Sequence, residues 1–119
     1  MRGRASWWDI QVDDLAVAQR FYGEVFDWTF PIPGPDFVVV SDGTELVGQL
    51  YASSEPVSGR GIRMYFETAD LEGVLAKVSD AGGKVKSERA LISPEMGWFG
   101  EFTDPSGVVI GLWTRTPAT

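Results

Sequence analysis

Trp8-Asp9-Ile10-Gln11-Val12-Asp13-Asp14-Leu15 and, 56 positions later, Met64-Tyr65-Phe66-Glu67-Thr68-Ala69-Asp70-Leu71 are the stretches whose reading decides the fold. Trp8, Ile10 and Val12 match Met64, Phe66 and Thr68, and Asp14-Leu15 matches Asp70-Leu71. The alternation predicts a strand with two different faces, from Trp7 to Val12 and again from Ile62 to Thr68. The Asp that follows each strand predicts a helix N-cap, because its carboxylate can accept hydrogen bonds from the free N–H groups of a first helical turn. The chain therefore reads as two related halves.

Working outward, Leu15, Ala18, Tyr22, Val25 and Phe26 form an apolar stripe at helical spacing, as do Leu71, Val74, Leu75 and Val78. The second helix should stop at Gly82-Gly83, where left-handed backbone angles cost little. Beyond the helices the pattern returns to strands. Phe37 to Val40 and Glu45 to Tyr51 flank the turn Ser41-Asp42-Gly43-Thr44, and Trp98 to Thr103 and Val108 to Trp113 flank Asp104-Pro105-Ser106-Gly107. Short strands are expected near Thr29-Phe30 and from Lys84 to Arg89. The class is α+β, with a β-α-β-β-β unit used twice, module 1 over about residues 6–55 and module 2 over about 60–114 of a single domain spanning 1–119.

Composition removes whole classes of chemistry. The 119 residues contain no Cys and no His, so disulfides, thiolate nucleophiles, Ser-His or Cys-His pairs and His-ligated metals are excluded. Ten Lys and Arg against seventeen Asp and Glu give a net charge of −7, which on average repels a phosphate backbone, so nucleic acid is not an expected partner. The start, Met1-Arg2-Gly3-Arg4-Ala5-Ser6, is basic but leads into no apolar segment of signal or membrane length. No membrane association and a cytoplasmic location are expected.

Two longer runs point to a family. Val12-Asp13-Asp14-Leu15 with Arg20-Phe21-Tyr22-Gly23-Glu24-Val25-Phe26-Asp27-Trp28, and Phe102-Thr103-Asp104-Pro105-Ser106-Gly107-Val108-Val109-Ile110, resemble the first helix and the closing hairpin of the glyoxalase / bleomycin-resistance / extradiol-dioxygenase superfamily, the vicinal oxygen chelate fold. The likeness runs from about Ser6 to Trp113. It implies that the paired modules form a half-open barrel, that such chains usually pair as homodimers, and that catalytic members hold a divalent metal in the concavity through His, Glu or Gln from each first and each last strand. In this chain those positions fall at Trp7 and Arg63, at Gly111, and at Gly48 or, with a hairpin one residue longer, Gln49. Trp and Gly side chains offer a metal nothing and Arg repels it, so no metal and no other cofactor is expected.

If Trp8, Ile10 and Val12 pack under the helix, Trp7, Asp9 and Gln11 face the concavity, and Arg63, Tyr65 and Glu67 do so in the second half. Gly111 shares its face with Trp113. Aromatic walls from Trp7, Tyr65 and Trp113, with Asp9, Gln11, Gln49, Arg63 and Glu67 among them, suit a small-molecule ligand, for which the negative charge favours a cationic or aromatic one. Plain structural roles stand beside this. Trp7-Trp8 suits a core or dimer interface equally, Arg63 could simply pair with Asp9 or Glu67, and Pro94-Glu95-Met96-Gly97 reads either as a lid or as a connection. Three functions follow in order of preference: metal-free binding of a small molecule such as an antibiotic; a metal-free lyase or isomerase with Asp9 or Glu67, tuned by burial, as base and Arg63 steadying an anion; and a non-catalytic interaction subunit.

Overall fold

Asp14 and Asp70 cap the two helices as their positions demand, each carboxylate accepting from the N–H three residues on, Val17 at 3.1 Å and Gly73 at 3.0 Å. A computed structural model describes residues 7–54 and 63–118. Met1 to Ser6, with their basic residues, and Ile62, the expected start of the second repeat's strand, lie outside the described residues.

Module 1 runs β1 (Trp8–Val12), α1 (Leu15–Phe26), β2 (Thr29–Pro33), β3 (Phe37–Ser41) and β4 (Leu46–Ala52). Module 2 repeats the order with β5 (Tyr65–Glu67), α2 (Leu71–Asp80), β6 (Lys84–Ser93), β7 (Gly97–Thr103) and β8 (Val109–Thr114). Each module makes one four-stranded mixed sheet, ordered β1-β4-β3-β2 and β5-β8-β7-β6, in which the first strand lies parallel to the last. This is the expected α+β half-open arrangement, and the two sheets do not close into a barrel.

Two elements exceed their expected bounds for physical reasons. β6 continues to Ser93 through Ala90-Leu91-Ile92, with three shifts of register against β7, so no single alternation announces it. β2 includes Pro31 and Pro33, tolerated because β2 is an edge strand where a missing N–H breaks no interior ladder. β5, by contrast, is short, though Gly111 N–H donates to Met64 O and Thr68 N–H to Trp113 O just beyond its ends. Pro94 to Met96 form the turn between β6 and β7, with Met96 N–H donating to Ser93 O and Oγ. The segment is thus the tight turn of the β6–β7 hairpin.

The apolar stripes of both helices and the inward residues of both sheets feed one continuous core, including Ile10, Val12, Phe21, Tyr22, Val25, Trp28, Leu50, Leu71, Leu75, Val78, Phe102, Ile110 and Leu112. Its centre is aromatic. Tyr22 stacks on Trp28 with centroids 5.1 Å apart, Trp8 meets Phe66 edge-on at 5.8 Å, and Phe21 of module 1 contacts Phe102 of module 2 at 6.0 Å. Such pairs add roughly 0.5–1.5 kcal/mol each to area burial, so the aromatic contacts bind the modules as well as fill the core. A polar tie reinforces them. The Tyr22 hydroxyl donates at 2.8 Å to Oδ2 of Asp104, which is 4% exposed, while Oδ1 accepts from the N–H groups of Ser106 and Val108. The turn after β7 thereby grips the helix of the other module. Among the described residues no helix is long and apolar enough to cross a membrane.

Candidate functional site

Alternation gives each strand residue a face, and register names the neighbours it meets there. In β1, Trp8, Ile10 and Val12 turn to the core, which leaves Trp7, Asp9 and Gln11 outward. Asp9 stands opposite Gln49 and Gln11 opposite Tyr51, whereas Gly48 stands opposite Trp8. A Cβ at Gly48 would meet the Trp8 carbonyl and indole, which explains a glycine on that side. On this register Gln49 carries the outward side chain and Gly48 lies under Trp8. Trp7 donates its indole N–H to Asp9 Oδ1 at 3.0 Å, holding the two side chains together.

The second sheet is assembled in the same way but from different chemistry. Tyr65 and Glu101 flank Gly111 on the outward face, and Glu67 and Phe99 flank Trp113. A Cβ at Gly111 would strike the Tyr65 ring, so the missing side chain lets that ring lie across β8. Tyr65 remains 49% exposed and meets Phe99 edge-on at 6.5 Å. Trp113 donates to the Met96 carbonyl at 2.7 Å, and the Arg115 guanidinium lies 5.0 Å from its ring centroid. Arg63 Nη1 donates to Glu101 Oε2 in an ion pair whose side chains are 31% and 13% exposed. The expected partners Asp9 and Glu67 are therefore replaced by Glu101, because β7 and not β1 brings a carboxylate beneath Arg63.

The structure brings the expected site residues together as two groups: Trp7, Asp9, Gln11 and Gln49 on the first sheet, and Arg63, Tyr65, Glu67 and Trp113 on the second. Tyr51, Phe99 and Glu101 join them unannounced. Counting outward from each hairpin turn would have found Phe99 opposite Trp113 and Glu101 opposite Gly111. A cleft of about 400 Å³ lies elsewhere, between α2 and β6, lined by residues that include Leu75, Ala76, Val85 and Glu88. None of the expected site residues lines it. At its edge Arg89 pairs with both Glu72 oxygens at 2.8 Å, donates to Thr116 O and lies 5.1 Å from the Trp98 ring centroid. This hydrogen-bonded pairing holds the Glu72 carboxyl below and the Arg89 guanidinium above their ordinary values.

In the core, Tyr22 and Asp104 shift each other's titration and are shifted by burial. Burial pushes the Asp104 carboxyl up, against the opposing pull of its hydrogen bonds from Tyr22, Val108, Ser106 and Gly107. Burial, and then the Asp104 charge, raise Tyr22 well above its usual value. On the outward faces Asp9 and Glu67 are exposed.

The topology and this site geometry define a class, and sequence comparison supplies its name. The sequence model of the Glyoxalase/Bleomycin resistance protein/Dioxygenase superfamily matches residues 4–112, and the chain belongs to that superfamily. It is 30% identical over 122 residues to CFP32 of Mycobacterium bovis, named as a candidate glyoxylase, with 94% of this chain and 46% of that protein aligned. The chain thus spans about half the length of that relative. Among solved structures, a glyoxalase/bleomycin resistance protein/dioxygenase family enzyme from Burkholderia phytofirmans superposes with a TM-score of 0.78 at 17% identity, covering 95% of this chain and 99% of the other. A fosfomycin resistance protein from Listeria monocytogenes superposes with a TM-score of 0.77 at 16% identity, covering 98% and 96%. At these identities the two structures establish the shared fold.

A divalent metal of the kind the family holds does not fit the residues present. The positions that the resemblance assigns to the ligands carry Trp7, Arg63, Gly111 and Gly48 or Gln49, at most one amide oxygen in all, and the Arg63 guanidinium is itself a cation held by Glu101. Among the described residues no three His, Cys, Asp or Glu side chains lie together in a metal-binding group.

Proposed function

We propose that this protein binds a small cationic or aromatic molecule on the outward sheet faces without a metal, and that sequestration of an antibiotic is the form this takes in the cell. The observation that carries the reading is the second face, where Tyr65, Phe99 and Trp113 stand beside the Glu67 and Glu101 carboxylates. Aromatic surface with a few orienting polar groups is what small-molecule sites are made of, and rings next to carboxylates favour a cation. The net charge of −7 adds long-range attraction of the same sign. Binding is favoured over the metal-free lyase or isomerase because Asp9 and Glu67 are exposed and Arg63 is already engaged by Glu101.

A homodimer in the cytoplasm, with neither nucleic acid nor membrane as partner, completes the proposal. Trp7, 47% exposed, leaves a large ring on the first face that a second copy would cover. The test is a thermal-shift and tryptophan-quenching screen of EDTA-treated protein against planar cationic drugs. Binders should raise the melting temperature and be recovered chemically unchanged. Conversion of the bound compound, or binding that appears only when zinc or manganese is restored, would overturn the reading.

A further inference from the structure

The second face already holds two guanidinium groups of the protein itself. Arg63 takes up Glu101, and Arg115 lies over Trp113. In the β7–β8 register Glu101 sits opposite Gly111 and Phe99 opposite Trp113, so Glu101 and Trp113 are diagonal neighbours on one face. Gly111 contributes no side chain between them, and the ring across it is that of Tyr65. A carboxylate and an indole, each engaged by a guanidinium and flanked by two more rings, form a cation-receptive patch.

We propose that Arg63 is a tethered stand-in for the cationic group of the ligand: it occupies Glu101 in the free protein, and an aromatic amidinium or guanidinium displaces it on binding. The inference rests on the metal-free binding reading above and adds to it a residue that sets affinity. Displacement is feasible because the pair is not sealed from water. Arg63 is about a third exposed, so its end of the pair is open to solvent, while Glu101 is 13% exposed and needs a donor throughout. The incoming group also exchanges one guanidinium-type donor for another on the same carboxylate, so Glu101 is never left unpaired, and its own aromatic ring adds contact with Tyr65 and Phe99, the rings that flank Glu101 and Trp113. Arg63 thus acts as a competitor at a high effective concentration, and its removal should help the ligand.

The experiment is a calorimetric titration of EDTA-treated wild type, Arg63→Gln, Arg63→Lys and Glu101→Gln with benzamidine and with its uncharged analogue benzamide, each variant first checked by circular dichroism and thermal melting. Arg63→Gln should bind benzamidine roughly three- to tenfold more tightly than wild type. Arg63→Lys, still charged, should stay near wild type. Glu101→Gln should lose the preference for benzamidine over benzamide. Equal or weaker benzamidine binding by Arg63→Gln, with wild type still binding, would overturn the displacement proposal and leave the binding reading intact. Absence of binding by all four folded proteins would overturn both.

Discussion

The two modules share the order of their elements and differ on the side that faces outward. Asp14 and Asp70 cap equivalent helices, and Trp8-Ile10-Val12 and Phe66 pack equivalent strands into one core. On the other side module 1 presents Trp7, Asp9, Gln11, Gln49 and Tyr51, with one indole tied to a carboxylate, whereas module 2 presents Tyr65, Glu67, Phe99 and Trp113 with an internal ion pair. The inward half of the repeat is constrained by packing, which tolerates little change, while the outward half is free to specialise. The two faces of one sheet thus answer to different demands, and the function proposed here belongs to the outward face, where the modules differ.

That contrast can be broken most forcefully at the shared core. Phe102→Ala removes a fully buried ring that touches Phe21 and Phe26 and should cost about 3–5 kcal/mol in urea unfolding. A cost below about 1 kcal/mol would mean that the modules do not share a core. Smaller and more discriminating is a matched pair of glycine substitutions. Gly48→Ala drives a methyl group into the Trp8 backbone and indole on the core side and should destabilise by about 1–3 kcal/mol. Gly111→Ala meets an exposed ring, so it should cost less than about 1 kcal/mol while displacing Tyr65 and weakening ligand binding. The reverse order of stabilities would put Gly111 on the core face.

The tie between modules responds to pH. Because burial raises the Asp104 carboxyl in the folded state, the folded protein holds that proton more tightly than the unfolded chain does. The resulting stability is fully present below the unfolded value of about 3.9 and is lost as pH rises through the folded value. Asp104→Asn removes this titration, so the difference in melting temperature between wild type and variant should shift in favour of the variant as pH rises from 4 to 7. Asp104→Ala, which leaves the buried Tyr22 hydroxyl without its acceptor, should cost about 1–3 kcal/mol at pH 4 and less as pH rises. A constant difference between wild type and Asp104→Asn across that range would show that Asp104 does not titrate there.

How much of this the sequence disclosed follows the same division. The capping aspartates, the two stripes and the turns at Ser41–Thr44 and Asp104–Gly107 are local signals, read within a few residues of themselves, and each marks an element that forms. β6 escaped because its bulges scramble alternation, and the Arg63 partner escaped because Glu101 is 38 positions away and reaches it only through the β5-β8-β7 order. Likewise the choice between Gly48 and Gln49 depends on one residue of register, which flips a side chain from one face to the other. Which residues line a face was therefore partly legible, and which of them touch was not.

The central claim is that the second face holds the ligand without a metal, and backbone and indole amide NMR of EDTA-treated protein during titration with benzamidine tests it most directly. The account predicts shifts at Tyr65, Glu67, Phe99, Glu101, Gly111 and the Trp113 indole N–H. Shifts confined to the cleft between α2 and β6, or to the face of the first sheet, or appearing only after a divalent metal is added, would contradict it.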